Sequence, residues 1–302
     1  MTMDELIDPQ ERAVLVPIAH LARLRADLAA WRGQETLVEG QKFILDRIYQ
    51  TDLPEADFPI RSILVVATPT PWMLRVRFAY RGRPVKALAP APFDEKAAAR
   101  RIAQRVERAG GHVLSAARLP RKRLAVSAGL GRYGRNNLCY VEGLGSVLAL
   151  VCFYTDLPAD ASAPWREMSV LPACEACQAC VKACPTGAVR PNRFLIDCDR
   201  CLSWYNETPT RDLPSFPQWL DPAWHVALYD CAVCQGVCPQ NRGRVTVADS
   251  PLAFDEDETE ALLAEAPLTE ALRAKLRALG MDAYHHAIAR NLRALLEREA
   301  DA

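Results

Sequence analysis

The sequence predicts an α/β (α+β) N-terminal domain, a cysteine-built module of ferredoxin type after it, and a short helical C-terminal segment. Three features of the chain point to that class. Apolar, β-branched runs alternate with helical patterns from residue 61 to residue 160, as a layered α/β domain requires. Cysteines then crowd between Cys174 and Cys238, and beyond residue 250 apolar residues return at helical spacing. The expected plan is therefore N-terminal helices over 1–60, an α/β domain over 61–160, the cysteine module over 170–245 and a helical segment over 250–302.

In residues 9–31, Val14, Leu15, Ile18, Leu21, Leu24 and Leu28 fall at helical spacing, which predicts an amphipathic helix capped by Asp8 and kinked or divided at Pro17. A second helical pattern covers 37–49. His20 has no partner residue nearby in sequence and reads as a packing histidine rather than a ligand. The apolar run 61–68 is a buried strand, closed by Pro69-Thr70-Pro71. Alternation over 74–80 gives the next strand, Arg81-Gly82-Arg83-Pro84 a turn, and 85–89 a further short strand. Asp94 caps a basic helix that runs to Arg108 and ends at Gly110-Gly111, and 112–117 is expected as a strand.

After the basic stretch 118–123 comes Gly129-Leu130-Gly131-Arg132-Tyr133-Gly134-Arg135-Asn136-Asn137. Glycines so closely spaced predict either backbone conformations closed to other residues or close approach to a bulky ligand. The segment lacks the strand, loop and helix order of a dinucleotide site. Residues 146–154 form an apolar strand carrying Cys152, which with Cys139 reads as a buried apolar residue. The Pro-, Ala- and Ser-rich stretch 156–172 marks a domain boundary, and 249–257 an acidic linker. Helices follow over 259–264, over 268–279 with Gly280 as its stop, and over 281–298, where His285 and His286 have no glutamate at metal-site spacing.

The cysteine module opens as Cys174-Glu-Ala-Cys177-Gln-Ala-Cys180-Val-Lys-Ala-Cys184-Pro185 and closes as Cys231-Ala-Val-Cys234-Gln-Gly-Val-Cys238-Pro239, with Cys201 between. A two-residue spacing wraps three thiolates around one iron–sulfur cube. In the two-cluster bacterial pattern the cysteine before proline reaches across to the other cube. That crossing assigns Cys174, Cys177, Cys180 and Cys238 to one 4Fe-4S cluster, and Cys201, Cys231, Cys234 and Cys184 to a second. Two neighbouring clusters form a path for single electrons. Cys201 stands in for the first cysteine of its triplet, ahead of a long insertion that carries Trp204, Trp219 and Trp224. Cys198 is left over. A structural zinc site of Cys198, Cys201, Cys231 and Cys234 is the alternative, and it strands the first motif and both Cys-Pro endings. Disulfides are a weaker reading, because thiols stay reduced in the cytosol.

The charge balance is neutral, 37 basic against 37 acidic residues, so no whole-chain field argues for nucleic acid or membrane. The longest apolar runs, 63–67 and 146–154, are too short to cross a bilayer. The first residues are acidic rather than a basic and apolar leader, which predicts a cytoplasmic protein.

Residues 128–138 with their following strand, taken together with the cysteine module and Cys201-Leu202-Ser203-Trp204, resemble the epoxyqueuosine reductases. These are cobalamin-dependent, double 4Fe-4S enzymes that complete queuosine in tRNA, and this chain reads as a divergent, short relative. The similarity runs from about residue 63 to the last helix, where Arg290-Asn291-Leu292 fits the family's ending. Reductive dehalogenases and ferredoxin-like proteins share the cysteine module alone; the glycine segment beside it makes the match specific.

The resemblance implies that 61–160 holds a base-off corrinoid next to the cluster module, and that electrons pass through both clusters to cobalt and on to an organic substrate. It implies that Gly129, Gly131 and Gly134 admit the macrocycle, and that Arg132, Arg135, Asn136 and Asn137 make polar contacts to cofactor or substrate. It also implies a low-potential donor of flavodoxin or ferredoxin type, and tRNA, whose phosphates the stretch 118–123 and Arg100, Arg101 and Arg105 would meet. One departure stands out. The family carries Asp-Tyr-His in the first half, where this chain has Tyr80-Arg-Gly-Arg-Pro-Val-Lys86, and a second family aspartate aligns with Ser115. Opening an epoxide requires a proton donor at the leaving oxygen, and Tyr80 and Tyr133 are the side chains able to serve. The departure also motivates the reading from another class, an electron-transfer or reductive-activation protein that serves another corrinoid protein and has no substrate of its own.

Overall fold

The computed structural model describes residues 3–300. The chain forms two compact units, each assembled from separated stretches. One takes the chain up to Thr70, Asp94–Gln178 and Arg190–Cys198; the other takes Pro71–Phe93, Ala179–Val189 and the chain from Asp199 onward. The four consecutive segments expected from sequence are thus regrouped, because strands far apart in the chain pair with each other.

In the first unit an antiparallel sheet runs in the order β1-β2-β8-β5, with β1 at Arg12–Pro17, β2 at Ser62–Pro69, β8 at Leu148–Thr155 and β5 at Val113–Ser115. The run on β2 is apolar without alternation because helices cover both of its faces. Ile63, Val65 and Ala67 pack with Leu21 and Leu24 of helix His20–Arg32 and Leu124 of helix Arg121–Ser127. Leu64 and Val66 pack with Ile102 and Val106 of helix Glu95–Arg108.

Residues 9–31 are not one helix. Their first part is the edge strand β1, paired with β2 from Arg12↔Ala67 to Pro17↔Ser62, and the helix begins only at His20. Proline at the end of an edge strand leaves no central ladder bond unmade. His20 is buried as a packing residue, its Nε2 2.8 Å from the Ala163 carbonyl oxygen. Asp94 caps its helix as expected, its Oδ1 accepting from the Ala97 N–H at 2.7 Å. Asp8 caps nothing; its carboxylate holds Arg101 and Arg105. Arg101 also meets the buried Glu11, which takes the Thr68 hydroxyl at 2.7 Å. Arg121 reaches Glu95 at 2.6 Å, and Arg123 reaches Asp27 at 3.0 Å. Most of the basic row expected to face phosphates is therefore turned onto the protein's own carboxylates. The helix Arg121–Ser127 was not expected from sequence, since its residues are largely buried and show no polar face.

The second unit is built on a sheet in the order β4-β3-β9, with β3 at Met73–Tyr80, β4 at Arg83–Pro90 and β9 at Val247–Phe254. The expected acidic linker is thus largely a strand, parallel to β3, whose Asp249 is paired with Arg75 at 2.8 Å. The Phe78 and Phe254 rings stack 4.7 Å apart over a core completed by Leu272, Leu276, Ile288 and Leu292. Helices Glu256–Leu263, Glu270–Ala278 and His285–Ala300 follow, the first two capped by Asp255 and Thr269. Among the described residues no helix is long and apolar enough to cross a membrane.

Candidate iron–sulfur centre and its supporting loop

In the second unit the cysteines lie on short, mutually packed pieces. Cys180 is in helix Ala179–Ala183 with Cys184 just past its end, Cys201 caps helix Leu202–Glu207, and Cys234 lies in Val233–Gly236. Asp230 and Ala232 both adopt the left-handed conformation, at φ 58° and 54°. Non-glycine residues are rarely held there, and the paired kinks curl the chain around Cys231. The Cys231 thiol feels Cys201 and Cys184, and Cys234 feels Cys231, Cys201 and Cys180. Cysteines of both motifs thus contribute to one electrostatic environment.

Burial pushes Cys231 up to about 12 and Cys234 higher still, while the Val233 N–H donates to the Cys231 sulfur. Buried thiols of this kind stay protonated until a cation offsets the thiolate charge, which is what bound iron supplies. The donor type fits a cluster, since cubes are held by cysteine thiolates; among the described residues no three His, Cys, Asp or Glu side chains are grouped to hold a metal ion. A cube spreads its four thiolates over four irons.

Two residues of the last helix fix this geometry. Arg290, 3% exposed, donates to the carbonyls of Tyr205 at 2.6 Å, Thr208 at 2.9 Å and Leu213 at 2.9 Å. Asn291 donates to Asn206 at 2.8 Å and Leu228 at 2.6 Å. The helix after Cys201 and the approach to Cys231 thus hang on one point. Arg200 adds a bond to the Thr186 carbonyl at 2.9 Å, two residues past Cys184. The sequence marked Arg290-Asn291 only as a family-like ending; these backbone partners carry no spacing that reveals them.

In the first unit the glycine segment supports the first cysteine loop. The Tyr133 N–H donates to Ser169, and its carbonyl accepts from the Leu171 N–H at 2.8 Å, leading into the turn Pro172–Cys174. Arg135 donates to the Cys174 carbonyl at 2.7 Å and to that of Pro191 at 2.6 Å. The glycines face the protein itself. A Cβ on Gly131 would lie 2.6 Å from the Tyr140 carbonyl oxygen, one on Gly134 2.6 Å from Asn136 Oδ1, and one on Gly129, at φ 82°, 2.6 Å from the Arg166 guanidinium carbon. Asn136 is buried, its amide donating to the Tyr140 hydroxyl at 3.1 Å. Of the polar residues expected on a corrinoid, Arg132 is exposed and Asn137 lines a cavity; Arg135 and Asn136 are engaged in holding the loop. A more open hollow of about 450 Å³ lies beside Gly129, Leu130 and the edge strand β1.

Tyr133 is buried, and burial holds its phenol well above the usual range, so it keeps its proton. Tyr80 ends β3, with the Arg81 guanidinium 5.0 Å from its ring centre. Ser115 is exposed at the end of β5.

Residues 173–241 match the 4Fe-4S double cluster binding domain. The chain is 30% identical over 142 residues to the epoxyqueuosine reductase of Leadbetterella byssophila, covering 47% of this chain and 44% of that one. It is 34% identical over 120 residues to that of Escherichia coli, covering 39% and 29%. The alignments thus span less than half the length of these curated relatives. The fold matches epoxyqueuosine reductase from Bacillus subtilis with a TM-score of 0.61 at 19% identity, over 99% of this chain and 82% of that one. A structure of epoxyqueuosine reductase with an epoxyqueuosine-modified tRNA stem loop matches equally, at 0.61 and 19%.

Proposed function

We propose that this chain, epoxyqueuosine reductase-like in its cluster segment and its fold, is an iron–sulfur oxidoreductase that carries two 4Fe-4S clusters and passes single electrons to a bound acceptor. On this reading Cys184, Cys201, Cys231 and Cys234 hold one cluster, and Cys174, Cys177, Cys180 and Cys238 the other. The observation that carries it is the match of residues 173–241 to a double-cluster domain, with the cysteines there at the spacing that ligand crossing uses. When bound, the clusters supply one-electron transfer. Arg290 and Asn291 hold the ligand-bearing pieces at fixed spacing, the Val233 N–H stabilises the Cys231 thiolate, and Arg135 steadies the Cys174 turn.

The resemblance supports a corrinoid as the acceptor, with Arg132 and Asn137 as the glycine-segment side chains available to it. It supports epoxyqueuosine in tRNA as substrate, since a relative is seen with such a stem loop, with Tyr80 as proton donor, a flavodoxin- or ferredoxin-type electron donor and a cytoplasmic setting. The glycines that pack on Tyr140 and Asn136 favour a second reading, an electron-transfer protein that reduces the cofactor of another corrinoid protein.

Anaerobic reconstitution separates these. About eight irons per chain are expected for two cubes, together with a spectral shift of cob(II)alamin on titration and deoxygenated queuosine after incubation with epoxyqueuosine tRNA. Eight irons with no cobalamin shift would leave the electron-transfer reading. Zinc in place of iron would end both.

A further inference from the structure

We propose that the cavity lined by Tyr49, Lys122, Tyr133 and Cys198 binds a small molecule built on a single planar ring that carries a carbonyl or carboxylate oxygen. The cavity lies wholly within the first unit and holds about 140 Å³. A dry engineered cavity of about 150 Å³ admits benzene, so one ring fills this space, and a corrinoid or a dinucleotide does not enter it. Trp31, Ile44, Leu45 and Leu195 give it flat and branched apolar walls, which favour a ring over a chain of polar atoms.

The polar side of the cavity is made of donors. Tyr133 is 3% exposed and Tyr49 half-buried, and both line the cavity. Burial holds both phenols in the protonated form. A protonated phenol donates to an acceptor oxygen that a ligand brings into the cavity. Lys122, whose ammonium donates to the Asn137 carbonyl at 3.0 Å, adds positive charge at the same wall. The amide of Gln41, also in the lining, is already used, donating to the Ile196 carbonyl at 2.8 Å and accepting from Val38. The ligand must therefore bring the acceptor. Cys198, one of three cysteines outside the two ligand sets, lines the same cavity and contributes a polarisable wall. None of this depends on the redox reading.

The test uses the full reconstituted chain with benzamide, benzoate and toluene as probes, followed by calorimetry and by ligand-observed NMR. Benzamide or benzoate is expected to bind at least about tenfold more tightly than toluene, the worth of one well-placed hydrogen bond. Tyr133→Phe and Tyr49→Phe should each remove most of that advantage and leave toluene binding unchanged, and Leu45→Trp, which fills the cavity, should abolish binding of all three. Absence of binding to the wild type overturns the proposal. So does toluene binding as tightly as the oxygen-bearing probes, or unchanged binding of benzamide and benzoate to both phenylalanine variants. The phenylalanine variants remove only a hydroxyl, so they keep the proposal open to failure even if Leu45→Trp does not fold.

Discussion

The Arg135 guanidinium joins two backbone carbonyls from separated stretches, Cys174 and Pro191, while its Nε is buried without a partner. A charged donor to a backbone acceptor contributes about 2 kcal/mol. Arg135→Ala should therefore release the iron of one cluster several-fold faster under chelator and leave the other intact, with Arg135→Lys intermediate. Iron release followed with the electron paramagnetic resonance of the reduced protein reads this, and equal rates for wild type and alanine variant would show the clamp to be idle. Gly131→Ala should lower the melting temperature, because its Cβ would sit 2.6 Å from the Tyr140 carbonyl and overpacking costs about 1–3 kcal/mol. The sequence showed that these glycines were constrained but not by what. Their neighbours belong to a ribbon of two three-residue strands, Gly131–Tyr133 and Cys139–Val141, too short to leave a period. The same shortness hid the inward turn of Asn136.

Among the elements, those with their own punctuation were legible. Asp94, the hairpin turn Arg81-Gly82 and Gly280 each mark an end by local chemistry, and the helix, hairpin and helix stop lie there. Two edge strands, β1 and β9, were not, whereas the edge strands β4 and β5 were. In β1 the residues Val14 and Leu15 satisfy a helical spacing with Ile18 beyond them as well as a strand, and only pairing with β2 decides between them. In β9 the acidic Asp249 and the Pro251 that suggest a linker are what a sheet edge carries to discourage further pairing. The last helix has an influence its sequence does not advertise. Arg290→Ala removes the bonds that tie three carbonyls to the last helix, so the reconstituted variant should lose the second cluster first, seen as a fall from about eight to about four irons per chain. Cys184→Ser tests the crossing itself. It should damage the same cluster as Cys231→Ser, with matching resonance spectra, and spectra matching Cys174→Ser instead would refute the ligand assignment.

At the scale of the molecule, the class of fold and the cysteine module were readable, whereas the composition of each unit was not. Units made of interleaved stretches depend on which strand pairs with which, and β3 with β9 is a pairing across more than half the chain. One consequence for the stability of the second unit rests on His225. It is fully buried, its ring lies 4.3 Å from that of Phe216, and neither ring nitrogen has a partner among the described residues. Arg298 donates to its carbonyl at 2.6 Å. Burial first, then Arg290 and Arg298, lower its pKa from 6.5 to about 4, while Asp221 opposes them weakly. The unfolded chain binds a proton here that the folded one refuses, so this residue's contribution is whole above about pH 6.5 and falls as the pH drops toward 4. One pH unit below the unfolded value the loss is about 1 kcal/mol. Urea unfolding of cluster-loaded wild type and His225→Phe at pH 7.5 and 5.5 measures it as the difference in pH dependence between the two proteins, which cancels the acid sensitivity of the clusters. The wild type should lose about 1 kcal/mol more than the variant on acidification. Identical losses would mean that His225 already carries its proton in the folded chain, or that water reaches its ring.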